Sequence, residues 1–135
     1  MAARDEPATP LEVAAALIQD EAGRYLITRR LAGSHLAGLW EFPGGKREPG
    51  ETLEGCLRRE LSEELGADFT VGEKIETITW QYLERSVVLH FYRCRLERGR
   101  IEPREEQAHV WVEPARLGDY DFPPADRALV ERLRA

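Results

Sequence analysis

The chain has 135 residues, 42% of them hydrophobic and 33% charged, enough for one domain with a real core and too few for two. Its net charge of −6 argues against a nucleic-acid polymer or an anionic membrane as main partner, but a small polyanion can bind if a metal supplies positive charge. No apolar run approaches the ~20 residues of a transmembrane helix, and the opening MAARDEPATP is polar, unlike a signal peptide.

Residues 1–10 read as a loose tail, and 11–135 as a single domain. Leu11 to Ile18 is apolar apart from Glu12 and reads as a buried strand. Asp20-Glu21-Ala22-Gly23 is a turn, and Arg24 to Thr28 returns as a second strand, so 11–28 suggests a hairpin. A loop over 29–39 leads to a short strand, Trp40-Glu41-Phe42. The turn Pro43-Gly44-Gly45 follows, where the backbone can approach a ligand closely. Thr52 and Gly66 bracket a helix as N-cap and C′ residue.

Asp68 to Trp80 is strand-like, with Gly72 marking a bulge or turn. Val87 to Leu96 alternates as a half-buried strand does, with Val87, Leu89 and Phe91 on one face and His90 and Tyr92 on the other. An acidic loop, Glu102 to Gln107, precedes a short strand at His109–Val112, and Pro123 to Arg134 makes a final helix. The fold class is α+β: a mixed sheet and two helices. Cys56 and Cys94 match no metal or redox spacing and fit a reducing cytoplasm.

The helix over 52–65 carries the chemistry. Leu53, Leu57, Leu61 and Leu65 form an apolar stripe, while Glu60, Glu63 and Glu64 sit at spacings of three and four on one face. Like charges so placed repel by roughly 0.2–0.5 kcal/mol per pair. On its own, RRELSEEL reads as a solvated helix face. The alternative is a divalent cation held by hard oxygen ligands, Mg²⁺ or Mn²⁺.

A family resemblance favours the cation. Gly45, five residues, Glu51, seven residues, Arg59-Glu60-Leu61, one residue, Glu63-Glu64, one residue, Gly66-Ala67 is the Nudix box with every fixed position present. The chain resembles the MutT-type members of that family further, in ITRR at 27–30, His35, WEFPGG at 40–45, Gln107 with Trp111, and DFPPAD at 121–126. The resemblance implies the α/β/α Nudix sandwich, with a mixed β-sheet between helices. It also implies Mg²⁺-dependent hydrolysis of a nucleoside triphosphate to monophosphate and pyrophosphate, a nucleotide-pool sanitation role, and a cytoplasmic monomer.

By the same resemblance, Glu60, Glu63 and Glu64 are metal ligands with the Gly44 carbonyl near the metal. Glu51 is a further acidic member of the metal shell, and Arg59 orients the glutamates as their ion-pair partner. The general base is Glu60 or Glu105. Glu105 is preferred because it stands two residues before Gln107, although Glu106 blurs the register. Arg30, His35, Phe42, Tyr82, Arg85 and Asp126 are the candidate substrate contacts. Each also has a plain reading: surface arginines, a loop histidine, packed aromatics and a helix-capping aspartate.

Asp126 is the informative departure, because the MutT pattern carries Asn there. Ionised Asp only accepts hydrogen bonds. It suits the cytosine N4 amine, but meets the O6 of 8-oxoguanine with a second acceptor. Protonated by burial, it could donate, and the oxopurine reading returns. Both 8-oxo-dGTP and (d)CTP therefore stand as substrates. Rivals are another nucleoside diphosphate derivative, such as a nucleotide sugar or dinucleoside polyphosphate, and a non-catalytic nucleotide sensor, which would be expected to have lost box glutamates.

Overall fold

The structure, a computed structural model, describes residues 9–31, 33, 37–83, 85–104 and 108–135. In chain order the strands and helices are β1 (Leu11–Ile18), β2 (Tyr25–Arg29), β3 (Trp40–Glu41), β4 (Gly44–Lys46), α1 (Leu53–Leu65), β5 (Asp68–Gln81), β6 (Ser86–Arg98), β7 (His109–Val112) and α2 (Arg127–Arg134). Two 3₁₀ turns, Pro114–Asp119 and Pro124–Asp126, lie between β7 and α2.

The strands form two sheets, ordered β4-β1-β6-β5 and β3-β2-β7. The first is mixed: β1 runs parallel to β6, while β4–β1 and β5–β6 are antiparallel. Its central strand β1 divides two cores. Ala14, Ala16 and Ile18 pack with Cys56, Leu57, Leu61 and Leu65 of α1, and Ala15 and Leu17 pack with Phe91, Leu129 and Val130 on the α2 side. The sheet thus lies between helices, as expected for the α/β/α sandwich. Leu57, Leu61 and Leu65 are fully buried, and each contributes roughly 1.5–3 kcal/mol of apolar burial. That stripe fixes which face of α1 turns outward.

The expected 11–28 hairpin does not form. The turn itself is present: Asp20 Oδ1 accepts from the amides of Ala22 and Arg24 at 3.0 and 2.8 Å. Only one bridge, Gln19 with Tyr25, joins the flanking strands. Both edges of β1 are taken by β4 and β6, so β2 crosses to the second sheet and pairs with β3 and β7.

Pro43-Gly44-Gly45 is also more than a turn. Gly44–Lys46 is β4, paired to β1 at Ala15, Ala14 and Val13. A Cβ on Gly44 would stand 2.0 Å from the Ala14 carbonyl oxygen, so only glycine permits this pairing. The anticipated irregularity near Gly72 is present as register shifts between Val71 and Glu76. The final helix begins later than expected, because Pro124–Asp126 forms a 3₁₀ turn first. Among the described residues no helix is long and apolar enough to cross a membrane.

Candidate active site

The glutamate-bearing helix is closed at both ends. Thr52 Oγ1 accepts from the Gly55 amide at 3.0 Å, and Gly66 adopts the left-handed conformation, φ 68°, with its amide bonded to the Ser62 carbonyl. With the leucine stripe buried, Glu60 and Glu63 project away from the core. Glu64 stands at its margin, 9% exposed, and accepts from the Gly44 amide at 3.0 Å.

Arg59 gathers the acids. Its Nε and Nη2 bond Glu51 at 2.7 and 2.9 Å, its Nη1 bonds Glu60 at 2.8 Å and Glu63 at 3.1 Å, and Nη2 also reaches the Lys46 carbonyl at 3.2 Å. The Arg59 hydrogen bonds, followed by the Glu48 amide, hold the Glu51 carboxyl down at about 2. Glu60 behaves oppositely. Burial pushes its carboxyl up, Arg59 opposes, and the charges of Glu63 and Glu48 push it further up. Gly45 borders it so closely that a Cβ there would stand 2.3 Å from the Glu60 carboxyl carbon.

These are hard oxygen donors of the kind Mg²⁺ and Mn²⁺ take. In this arrangement no three acidic, imidazole or thiol groups among the described residues converge on one point. Glu60 and Glu63 are turned to Arg59, and Glu64 to the Gly44 amide. The donor set still fits a divalent cation, because Glu60 carries repulsion from neighbouring carboxylates that such a charge would offset.

From Glu60 and Gly45 a cleft of about 1100 Å³ runs along the sheet. Val13 of β1 and Val87, Leu89 and Phe91 of β6 lie along it, and Arg30, Glu41, Asp126 and Tyr82 line it too. Asp126 is 7% exposed. Burial first, then the Glu41 charge, pushes its carboxyl up to about 7, and Arg30 opposes. It precedes α2 but makes no side-chain capping bond, so the helix-cap reading of this residue is not satisfied.

Of the residues singled out from the sequence, Gly44, Glu60, Arg30, Phe42, Tyr82, Arg85 and Asp126 all line this one cleft. Glu51, Arg59, Glu63 and Glu64 are not part of the lining; Arg59 ties Glu51 and Glu63 to Glu60, and Glu64 holds the Gly44 backbone. Phe42 is 4% exposed and stacks on Phe122 at 5.3 Å between ring centres, so it is packed as well as lining. Tyr82 receives a hydrogen bond from the Ala125 amide, and Arg85 donates to the Thr9 carbonyl at 3.2 Å. His35, Glu105, Glu106 and Gln107 lie outside the described residues.

Glu41 was not singled out from the sequence. Its Oε1 accepts from Arg30 Nη1 at 2.5 Å. Burial pushes its carboxyl up, Arg30 opposes, and the charge of Glu60 adds to the rise. It stands electrostatically between the two ends of the cleft, raising Asp126 and being raised by Glu60. An acid between two aromatics, entering a glycine turn, was the available signal. His90 lies elsewhere, bonded to Glu12 at 2.8 Å and to Lys74 at 3.0 Å, away from the cleft lining.

A family model described as NUDIX domain matches residues 14–132. The chain is 41% identical over 125 residues to the CTP pyrophosphohydrolase of Escherichia coli (strain K12), covering 93% of this chain and 92% of that protein. It is 39% identical over 123 residues to the 8-oxo-dGTP diphosphatase of Haemophilus influenzae, covering 91% and 90%. Among solved structures it is similar to the MutT protein of Methanosarcina mazei Go1, with TM-score 0.84 and 27% identity over 95% of this chain and 96% of that one.

Proposed function

This chain belongs to the NUDIX family, and from that premise we propose that it is a Mg²⁺-dependent nucleoside triphosphate pyrophosphohydrolase, acting on 8-oxo-dGTP, (d)CTP or both. The observation that carries the reading is the continuity of the cleft. One wall bears Glu60, beside the Arg59-gathered carboxylates, and the same cleft is lined by Asp126, Glu41 and Arg30. The triphosphate belongs at the first end and the base at the second.

Glu60, Glu63 and Glu64 would hold a divalent cation, which would supply neutralisation of phosphate charge and activation of water. The chain's own residues do the rest. Arg59 holds Glu60 and Glu63 in place through a planar fork, with Glu51 anchoring the other side of the guanidinium. Glu60, whose carboxyl burial pushes up and so makes more basic, is the first candidate to accept the proton of the attacking water. Glu105 remains the alternative base. Asp126, near half ionisation at neutral pH, can accept from a cytosine amine or donate to an oxopurine carbonyl. Both relatives' substrates fit that duality. The two cysteines are free and buried, which agrees with action in a reducing compartment such as the cytoplasm.

The test is a panel of triphosphates with Mg²⁺, read by release of monophosphate and pyrophosphate. Turnover concentrated on 8-oxo-dGTP and (d)CTP is expected. No turnover of any triphosphate would sink the reading.

A further inference from the structure

The β5–β6 connection places a leucine at the mouth of the cleft. Leu83 is 101% exposed, whereas the other exposed large apolar residues among the described residues reach only 38–40%. It also lines the cleft. A leucine left wholly in water is common enough on a surface. One held at the rim of a ligand cleft by a braced turn calls for a partner.

The bracing is on both flanks. The Tyr82 amide bonds the Arg85 carbonyl at 2.9 Å, closing the turn. Gln81 donates to the Tyr82 carbonyl at 2.8 Å, and its side-chain oxygen accepts from the Ser86 hydroxyl. The Tyr82 hydroxyl is tied to the Ala125 amide, next to Asp126, and Arg85 is tied to the Thr9 carbonyl, before β1. The turn is therefore fixed to the two segments that bound the base end of the cleft. The strand wall there is apolar and half-buried: Leu11 and Val13 of β1 beside Val87 and Leu89 of β6.

We propose that Leu83 is a binding contact for the face of the substrate's nucleobase, gripping its plane while Asp126 reads its edge. The inference rests on the nucleotide reading above and names how that site holds its base. A nucleobase presents two apolar π faces and a polar rim. Its rim matches the buried acids and Arg30, and its face matches a leucine over an apolar wall. The occupant is the base and not another protein, because Leu83 belongs to the same continuous cleft as Asp126.

Because Leu83 buries nothing in the free protein, its replacement should leave the fold untouched. The test compares Leu83→Ser and Leu83→Met with wild type. Steady-state kinetics use dCTP and 8-oxo-dGTP, and calorimetry uses CMP and 8-oxo-dGMP without metal. Leu83→Ser should raise KM and weaken monophosphate binding by about tenfold, the scale of losing most of a leucine's burial. Its kcat should stay within about twofold and its Tm should not move. Leu83→Met should behave as wild type, since a flexible thioether covers the same face. Wild-type KM and monophosphate affinity in Leu83→Ser would overturn the proposal. The calorimetry separates the two claims: wild-type monophosphate binding that Leu83→Ser weakens, without triphosphate turnover, would overturn the hydrolase reading and leave the Leu83 contact standing.

Discussion

Arg59 closes on Glu51 with two parallel hydrogen bonds, Nε to Oε2 at 2.7 Å and Nη2 to Oε1 at 2.9 Å, while its remaining nitrogen holds Glu60 and Glu63. A lysine keeps the charge and loses the fork. Arg59→Lys should therefore leave Glu60 poorly placed at a site where a misplacement of about 1 Å costs on the order of 100-fold. We expect kcat to fall by about 10- to 100-fold with an unchanged circular dichroism spectrum. Wild-type kcat in this variant would show that the fork is dispensable.

Adjacent glycines separate folding from chemistry. At Gly44 an added Cβ meets backbone, the Ala14 carbonyl oxygen at 2.0 Å, and the β1–β4 ladder must shift. At Gly45 it meets the Glu60 carboxyl carbon at 2.3 Å, the free end of a side chain that can swing away. Gly44→Ala should cost roughly 1–3 kcal/mol, as overpacking does. At about 2–8 °C of Tm per kcal/mol, a melting curve resolves that loss. Gly45→Ala should melt close to wild type yet lose turnover, since Glu60 is displaced. The pair fails if Gly45→Ala unfolds or if it keeps full activity.

Helix α1 was legible because its signals are local: Thr52, a leucine every fourth position, and Gly66. The box glutamates were legible for the same reason. Strand pairing was not. Nothing near Asp20–Gly23 shows that β4 and β6 occupy both edges of β1, so a real turn suggested a hairpin that does not form. Glu41 escaped because its meaning is set at a distance. Arg30 stands eleven residues before it, and Asp126 comes from the far end of the chain. Leu83 escaped because it falls between the two strands read from the sequence, and nothing local shows that this connection stands at the cleft mouth.

The raised acid at position 126 ties base preference to pH. Protonated Asp126 can donate to an oxopurine O6 and accept from N7–H; ionised Asp126 accepts from the cytosine amine. The ratio of kcat/KM for 8-oxo-dGTP over dCTP should therefore fall as pH rises through about 7. Taking the ratio cancels any pH dependence of the hydrolytic step common to both substrates. Glu41 is the second cause of the shift, after burial, so Glu41→Gln should move the crossover to lower pH. A ratio flat from about pH 6 to pH 8 in wild type would remove Asp126 from base reading.

The same carboxyl makes a prediction about stability that needs no substrate. In the folded chain Asp126 titrates at about 7, against the ordinary value of 3.8, because burial disfavours its charge. Below 3.8 it is protonated in both states and carries no penalty; as pH rises from there to 7, the folded chain holds a proton that the unfolded chain releases. Stability therefore drops across this window and levels off above it. At 1.36 kcal/mol per unit the full penalty is roughly 4 kcal/mol, of which roughly 2–3 falls between about pH 5 and pH 8. Asparagine has no such charge. Asp126→Asn should thus gain on wild type by that margin between the two pH values in urea unfolding, while Glu41 and the other acids remain common to both proteins. An equal stability difference at both pH values would mean that Asp126 titrates as an ordinary surface acid, and its role as a poised donor and acceptor would fall with it.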